Sequence, residues 1–158
     1  MPLTFNICHL GKKDLHLEGE LPVEDLELDL RDDMVRTDGP LSYDLEAEEM
    51  DDAALIRGNL RLPLLCTCVR CLKEFSDALE IDGWTCHLPL KGEDATPLVN
   101  DLVNLTPHIR EDILLALPQH PLCEPECGGL KLPASVKDPG ETSEKTPSAW
   151  AELDKLKL

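Results

Sequence analysis

Aromatic residues and long apolar runs are scarce in this sequence. The 158 residues include two Trp, one Tyr and two Phe, so Leu, Val, Ile and Ala must supply most of any core. No stretch approaches the roughly 20 apolar residues that a membrane-spanning helix needs. The chain begins without the basic and apolar segments that are typical of a signal peptide. We therefore expect a cytoplasmic protein that does not bind a membrane.

Sequence motifs of common catalytic sites are also missing. There is no glycine-rich phosphate loop and no Gly-x-Ser-x-Gly turn for a nucleophilic serine. The five histidines do not show the His-Glu-x-x-His spacing of a metalloprotease. Acidic residues are so numerous that a pair of carboxylates carries no information about acid–base chemistry. We therefore predict that the protein is not an enzyme.

Positive charge is scarce relative to negative charge. The chain has 15 Lys and Arg against 32 Asp and Glu, a formal net charge of -17 at pH 7. Between Asp14 and Asp52, sixteen acidic residues face only Arg31 and Arg36. Such a charge argues against nonspecific binding of nucleic acid and favours basic partners such as ribosomal proteins. The alternative is that the acidic residues simply form a solvated face.

The first half shows the alternation of apolar and polar residues that is typical of strands with one buried face. The alternating segments contain Leu3, Phe5 and Ile7; Leu15 and Leu17; Leu26, Leu28 and Leu30; Leu41, Tyr43 and Leu45; and even-numbered residues 54–64. Asp38-Gly39-Pro40 and Met50-Asp51-Asp52 predict turns, and residues 75–90 could add one or two strands around Trp84. Pro63 indicates a sheet edge or a bend. We predict an α+β fold whose first half is an antiparallel β-meander.

The second half changes to a helical period. Thr106-Pro107 predicts a helix over about 107–117 with Thr106 as its N-cap. Its predicted apolar face consists of Ile109, Ile113, Leu114 and Leu117. Residues 131–145 have the composition of a flexible linker, and a short helix is predicted at 146–158. The predicted organisation is therefore one domain at 1–130, a linker at 131–145 and a helical tail at 146–158.

Seven cysteines are present, and two of their spacings indicate a metal site. An odd number without a secretory signal favours free thiols or metal ligands over disulfides. Cys68-Val-Arg-Cys71 and Cys123-Glu-Pro-Glu-Cys127 each place two thiolates so that one tetrahedral Zn²⁺ could bind all four. Cys66 or His120 could replace one of these ligands. The alternatives are small buried cysteines, or a redox pair at Cys68 and Cys71, which would need a thioredoxin-like context that the sequence lacks.

Several longer motifs follow one another along the chain. They are Ile56-Arg-Gly-Asn-Leu60, Cys68-Val-Arg-Cys71-Leu-Lys-Glu-Phe75, Asp101-Leu-Val-Asn-Leu105, Glu111-Asp-Ile-Leu-Leu-Ala-Leu-Pro118, Pro121 with Cys123, and the ending Pro147-Ser-Ala-Trp150-Ala-Glu-Leu153-Asp-Lys-Leu156-Lys157. Motifs in this order resemble the YceD-like family of large ribosomal RNA subunit accumulation proteins. Many members carry two further cysteines after Cys127, where this chain has Lys131 and Ala134. The C-terminal part alone therefore lacks four thiolates, and Cys68 and Cys71 would complete the site.

The resemblance implies a non-catalytic role in the accumulation of large-subunit ribosomal RNA. The leading hypothesis is an accessory protein that binds a basic ribosomal protein or a pre-ribosomal particle, with a structural zinc. The second is a zinc-containing module that binds ribosomal RNA. Its candidate contacts are Arg57, Arg61, Arg70 and Lys73, which could equally be ordinary surface bases. The third is a small metal or redox protein. The sequence leaves the oligomeric state open.

Overall fold

The computed structural model describes residues 1–11 and 14–131. All of the predicted linker except Lys131, and the predicted helix at 146–158, lie outside the described residues. The described elements, in chain order, are β1 (Thr4–Asn6), a 3-10 turn (Ile7–His9), β2 (Leu15–Leu21), α1 (Val23–Leu26), β3 (Val35–Thr37), β4 (Leu41–Met50), β5 (Ala53–Thr67), β6 (Glu74–Pro89), β7 (Leu102–Asn104) and α2 (Thr106–Ala116).

Antiparallel pairing organises most of the molecule. The main sheet has the order β2–β4–β5–β6, and β3 pairs with the last part of β5. β1 and β7 form a separate antiparallel pair. The predicted α+β class with an antiparallel sheet is confirmed in outline. The meander is confirmed only from β4 to β6, because β2 pairs with β4 and β3 joins the sheet beside β5.

A prediction of a strand at Leu26, Leu28 and Leu30 is wrong. α1 ends at Leu26, with acidic residues in its first turn and Glu27 after it in the left-handed conformation (φ 46°). Leu28 and Leu30 lie in the irregular segment that follows. The helical turn buries Leu26 completely. Pro22 just before α1 and the carboxylates in its first turn favour the start of a helix, and these local signals outweigh the period of two.

β5 lies at the centre of the main sheet, so the edge interpretation of Pro63 is wrong. β3 and β4 both run antiparallel to β5 on its same side, and the chain continues in one direction through Asp38-Gly39-Pro40. Pro63 lies between these two partners, and its carbonyl accepts a hydrogen bond from the Asp38 N–H (2.9 Å). A proline has no N–H to donate, so this interruption accommodates it without the loss of a bond to β6.

Helix α2 covers the inner face of the sheet close to its predicted position. Ile109 and Ile113 are fully buried, but Leu114 is 39% exposed, so the buried face is narrower than predicted. Thr106 is the first helical residue and not the N-cap. Its hydroxyl accepts a hydrogen bond from the Leu3 N–H (2.8 Å), so this side chain connects α2 to the N-terminal strand region.

Leu, Ile and Val side chains from both halves of the chain form one core. Its largest fully buried members include Leu26, Leu41, Leu45, Ile56, Leu62, Leu64, Leu88, Val103, Leu105, Ile109 and Ile113. β4 and β5 approach closely at Gly58, where an added Cβ would lie 2.0 Å from the Asp44 carbonyl oxygen. A glycine is therefore required at this position. The opposite face of the sheet is polar and largely exposed.

Candidate metal centre

The loop that joins β5 to β6 positions the first pair of cysteines. The Cys68 N–H donates to the Lys73 carbonyl and the Leu72 N–H donates to the Cys68 carbonyl, both at 2.9 Å. Leu72 adopts the left-handed conformation (φ 60°), which reverses the chain directly after Cys71. Hairpin formation by β5 and β6 therefore brings the Cys68 and Cys71 thiols to one end of the sheet.

The second pair belongs to the segment that follows α2, and hydrogen bonds fasten this segment to the hairpin loop. The Val69 N–H donates to the Pro121 carbonyl (3.0 Å), and the Arg70 guanidinium donates to the Cys127 carbonyl (3.2 Å). A turn between Glu124 and Cys127 is closed by the Cys127 N–H, which donates to the Glu124 carbonyl (3.1 Å). These contacts position the second arm beside the first.

The four sulfur atoms form a compact group. The Sγ atoms of Cys68 and Cys127 are 3.7 Å apart, those of Cys71 and Cys123 are 3.5 Å apart, and all four lie within 4.8 Å of one another. A tetrahedral zinc site with Zn–S bonds of about 2.3 Å requires S–S separations of about 3.8 Å. A disulfide would require about 2.05 Å. The set therefore fits one four-coordinate soft metal ion, and none of the four cysteines forms a disulfide.

Hydrogen bonding within the cluster favours the thiolate form of Cys68 and the thiol form of Cys123. Hydrogen bonds from the backbone N–H groups of Cys123, Cys71 and Arg70 lower the pKa of Cys68 to about 6. Hydrogen bonding with Cys71, together with burial and the neighbouring thiols, raises the pKa of Cys123 to about 12. Four thiolates this close repel one another, so their simultaneous ionisation requires a bound cation.

The four candidate RNA contacts lie in two separate places. Arg57 pairs with Glu48, and the Arg61 Nε lies 3.3 Å from the Glu80 carboxylate, so carboxylates of neighbouring strands already contact both guanidinium groups. Arg70 and Lys73 lie in the cysteine hairpin beyond Thr67, the last residue of β5, which is six residues along the strand from Arg61. At about 3.3 Å per residue that separation is about 20 Å or more. The structure does not bring the four side chains together.

Comparisons with known proteins cover the elements that carry the four cysteines of the cluster. A model of the family "Large ribosomal RNA subunit accumulation protein YceD" matches residues 56–157, from the middle of β5 to a point beyond the described residues. The chain belongs to the YceD family. It is similar to uncharacterized proteins of Mycobacterium bovis and Mycobacterium tuberculosis, with 26% identity over 96% of this chain and 80% of theirs. A Mycobacterium leprae protein shows 24% identity over 96% of this chain and 76% of its own length. No solved structure matches the chain.

In this YceD-family chain, the two alternative ligands lie apart from the four-thiol cluster. Cys66 is fully buried and packs in the hydrophobic core, where burial and the Asp77 carboxylate raise its pKa. His120 is exposed on the segment after α2. Among the described residues, the group that could hold a metal consists of Cys68, Cys71, Cys123 and Cys127. The spacing of the cysteines predicts these four residues. The hydrogen bond by which Arg70 connects the hairpin loop to the segment after α2 has no signal in the sequence.

The outer face of the sheet is a second feature of this YceD-family chain. Glu18, Glu20, Asp44 and Glu46 lie on adjacent strands β2 and β4 and point away from the core, as the register of the two strands requires. His16 lies 3.5 Å from the Asp44 carboxylate. We refer to these four carboxylates as the acidic face.

Neither of the helices in the described part of the chain has the length and apolar character of a membrane span.

Proposed function

We propose that this chain is a non-enzymatic accessory protein in the accumulation of the large ribosomal subunit RNA, acting in the cytoplasm. It binds a basic ribosomal protein or a pre-ribosomal particle that carries one. The family description supports the process, and the distribution of charge supports the partner. The observation that carries the choice of partner is the acidic face, in a chain with a net charge of -17.

The acidic face supplies a field that attracts cations and repels phosphates. Its four carboxylates lie side by side on β2 and β4. Among the described residues, only His16 lies within ion-pair distance of carboxylates there, those of Glu18 and Asp44. Such a surface raises the rate of encounter with a Lys- and Arg-rich protein, and salt weakens that attraction. A ribosomal RNA backbone would meet repulsion from the same charges.

The cysteine cluster has a structural role in this proposal. Four protein thiolates would fill the coordination sphere of Zn²⁺, which leaves no open position for a water or a substrate. A bound metal would fasten the β5–β6 hairpin to the segment after α2, in addition to the Val69 and Arg70 hydrogen bonds. A coordination sphere filled by four thiolates disfavours the small metalloenzyme, and the lack of a thioredoxin-like context disfavours a redox pair.

A zinc-containing RNA-binding module is the second candidate. Arg70, Lys73 and Lys131 lie around the cysteine cluster, and Lys73 and Lys131 line one groove of about 470 Å³ beside it. Glu124 lines the same groove, and a zinc ion bound by four thiolates would add a formal charge of -2. These negative charges and the pairing of Arg57 and Arg61 with carboxylates leave little net positive potential for RNA.

A pull-down from cell lysate at low and high salt tests the proposal. We expect the wild-type chain to capture ribosomal proteins or pre-ribosomal particles at low salt. The double variant Glu20→Lys/Glu46→Lys reverses two charges of the acidic face and should lose this capture. The matched control Glu93→Lys/Asp94→Lys makes the same change at two exposed residues beyond β6 and should retain it.

The RNA alternative makes the opposite prediction in the same experiment. Arg57→Gln/Arg61→Gln and Arg70→Gln/Lys73→Gln should leave capture unchanged if the acidic face carries it. Capture of deproteinised ribosomal RNA that both of these variants abolish, together with full retention by Glu20→Lys/Glu46→Lys, would replace the proposal with the RNA-binding module. Turnover of any small molecule by the zinc-loaded chain would contradict the non-enzymatic assignment.

A further inference from the structure

The first part of β6 forms a long edge of the main sheet. β6 extends over 16 residues and pairs with β5 along its length. On its other side, no strand pairs with it within residues 1–11 and 14–131. The first eight residues, 74–81, precede a bulge where Gly83 adopts a left-handed conformation (φ 67°) and its N–H donates to the Asn59 side chain. We call residues 74–81 the β6 edge.

The direction of the backbone groups along the β6 edge follows from their partners in β5. The Pro63 carbonyl and the Thr67 N–H both bond to residues on the β3 side, so odd-numbered residues of this part of β5 face β3. Even-numbered residues of β5 therefore bond to β6, through Phe75, Asp77 and Leu79. Ser76, Ala78 and Glu80 consequently direct their N–H and C=O groups away from the sheet.

One of these outward N–H groups donates a hydrogen bond to a neighbouring side chain. The Ala78 N–H donates to the carboxylate of the preceding residue, Asp77, at 2.8 Å. In the described residues, no protein group accepts from the Ser76 or Glu80 N–H. A row of such groups is the template to which an additional strand can pair. The β6 edge therefore offers backbone hydrogen bonds to an extended peptide.

Side chains along the β6 edge combine apolar surface with negative charge. Phe75, Leu79 and Ile81 point to the inner face and are only partly buried against the core, because no strand in the described part of the chain continues the sheet beyond them. β6 contains four acidic residues, no Lys and no Arg. Glu74 and Glu80 pair with Arg36 and Arg61, whereas Asp77 has no such cationic partner in the described residues.

We propose that the β6 edge binds an extended, Lys- and Arg-rich segment of a partner protein as an additional strand. Apolar residues of the segment cover Phe75, Leu79 and Ile81 on the inner face, and its basic residues lie on the outer face beside Glu74 and Glu80. This inference rests on the proposed function for the basic character of the partner. A second copy of this chain fits poorly, because pairing of two β6 strands would align like charges and join two chains of net charge -17.

The test uses the full-length chain and a synthetic eight-residue peptide of alternating Lys and Val. We expect saturable binding by fluorescence anisotropy and new hydrogen-exchange protection at Ser76 and Glu80. The Leu79 N–H, which faces β5, is the internal reference for a protected strand amide. N-methylation of one alternate set of peptide nitrogens should abolish binding and methylation of the other set should not, because a strand presents alternate N–H groups to opposite edges.

A proline substitution tests the edge from the protein side. Ser76→Pro removes an outward N–H and no bond to β5, and it should weaken the peptide roughly tenfold or more. The matched control is Ser76→Ala, which changes the same exposed side chain but keeps the outward N–H, and it should leave affinity unchanged. The methylated peptides need no protein variant, so they decide the question even if Ser76→Pro fails to fold.

Several outcomes would overturn the inference. Equal effects of the two methylation patterns would show attraction by charge without strand pairing. Ser76 and Glu80 amides as protected as Leu79 in the free chain would show that the chain's own residues cover the edge, and a doubled mass in solution would indicate a second copy. If the peptide does not bind but the chain still captures ribosomal partners, only the edge proposal is wrong. If the peptide binds the edge and the chain captures no ribosomal partner, only the proposed function is wrong.

Discussion

The core of the sheet and the cysteine end are built on different physical principles. In the core, side chains such as Ile56, Leu62 and Ile113 are fully buried, and the loss of apolar surface to water stabilises the packing. At the cysteine end, Cys68 is buried, whereas Leu72 and Leu130 are more than half exposed. Little apolar burial is therefore available to fix the second arm of the cluster.

This difference assigns separate tasks to the two regions. The core fixes the strands and α2 without any metal, because its members come from both halves of the chain and contact one another directly. The cysteine end relies on a few hydrogen bonds and on four thiols close enough to share one ion. Metal binding at such a site contributes directly to the free energy of folding of the part it joins.

Loss of one cluster thiol should have the largest effect and should be confined to the cysteine end. We expect Cys68→Ser to reduce bound zinc from about one ion per chain to a small fraction, because three thiolates bind zinc far less tightly than four. Hydrogen exchange should increase at Val69 and Cys127 and remain unchanged at Ile113. Elemental analysis after purification without a chelator measures the zinc.

The control for this prediction is Cys8→Ser, which alters an exposed thiol outside the cluster and should retain the full zinc content. Wild-type chain with no zinc, or a Cys68→Ser variant that keeps it, would show that the cluster is not a metal site. Unfolding of the core in Cys68→Ser would show that the two regions are not independent.

Truncation of a buried side chain of α2 should lower the stability of the core and leave the zinc content unchanged. Ile113→Ala removes a fully buried side chain and should lower the free energy of unfolding by about 3 kcal/mol in urea titrations. Leu115, two residues later, is 83% exposed, so Leu115→Ala should change it by less than about 0.5 kcal/mol. Equal losses for the two variants would mean that α2 does not pack by the face seen in the structure.

The two regions differ in how far the amino-acid sequence predicts them. Strands β2, β4, β5 and β6 and helix α2 follow long periodic patterns, in which many residues support the same assignment. The alternation of Leu26, Leu28 and Leu30 predicts a strand, because so short a pattern gives no sign that a helical turn ends at Leu26 and an irregular segment follows. Thr106 before Pro107 predicts an N-cap, because the sequence gives no sign that its hydroxyl accepts from the Leu3 N–H instead.

The candidate site shows the same limit. The two Cys spacings predict half-sites, and spacing along the chain is local information. The partners of Arg57 and Arg61 depend on the register of β4, β5 and β6, which places Glu48 and Glu80 beside them. The open side of β6 likewise depends on strand order. Pairing between distant segments therefore decides which charges are available, and composition alone does not reveal it.

Loss of a single hydrogen bond between β6 and α2 should lower the free energy of unfolding by an intermediate amount. The Trp84 Nε1–H donates to the Asp112 carboxylate at 2.6 Å, in a partly buried setting. Asp112→Ala leaves this donor without its charged acceptor and should lower the free energy of unfolding by about 2 kcal/mol. Glu111→Ala removes a neighbouring exposed carboxylate and should change it by less than about 0.5 kcal/mol. Near-ultraviolet circular dichroism of Trp84 would report the change locally.

The smallest predicted effect is a dependence of core stability on alkaline pH. Burial, and secondarily the Asp112 carboxylate, raises the pKa of Cys86 from 9.0 to about 11. Between these values the folded chain keeps a proton that the unfolded chain releases, so the free energy of unfolding falls as pH rises from 9 to 11. Two pKa units correspond to about 2.7 kcal/mol, and partial exposure of the thiol reduces this to about 1 kcal/mol.

Comparison of Cys86→Ala with wild type isolates this contribution, because other groups titrate equally in both chains. The difference in free energy of unfolding between them should shift by about 1 kcal/mol in favour of the variant as pH rises from 9 to 11. Cys8→Ala, at an exposed thiol, should follow wild type throughout. A constant difference between Cys86→Ala and wild type would mean that the thiol is solvated in the folded chain. The boundary of the core would then lie further from the end of β6 than the structure places it.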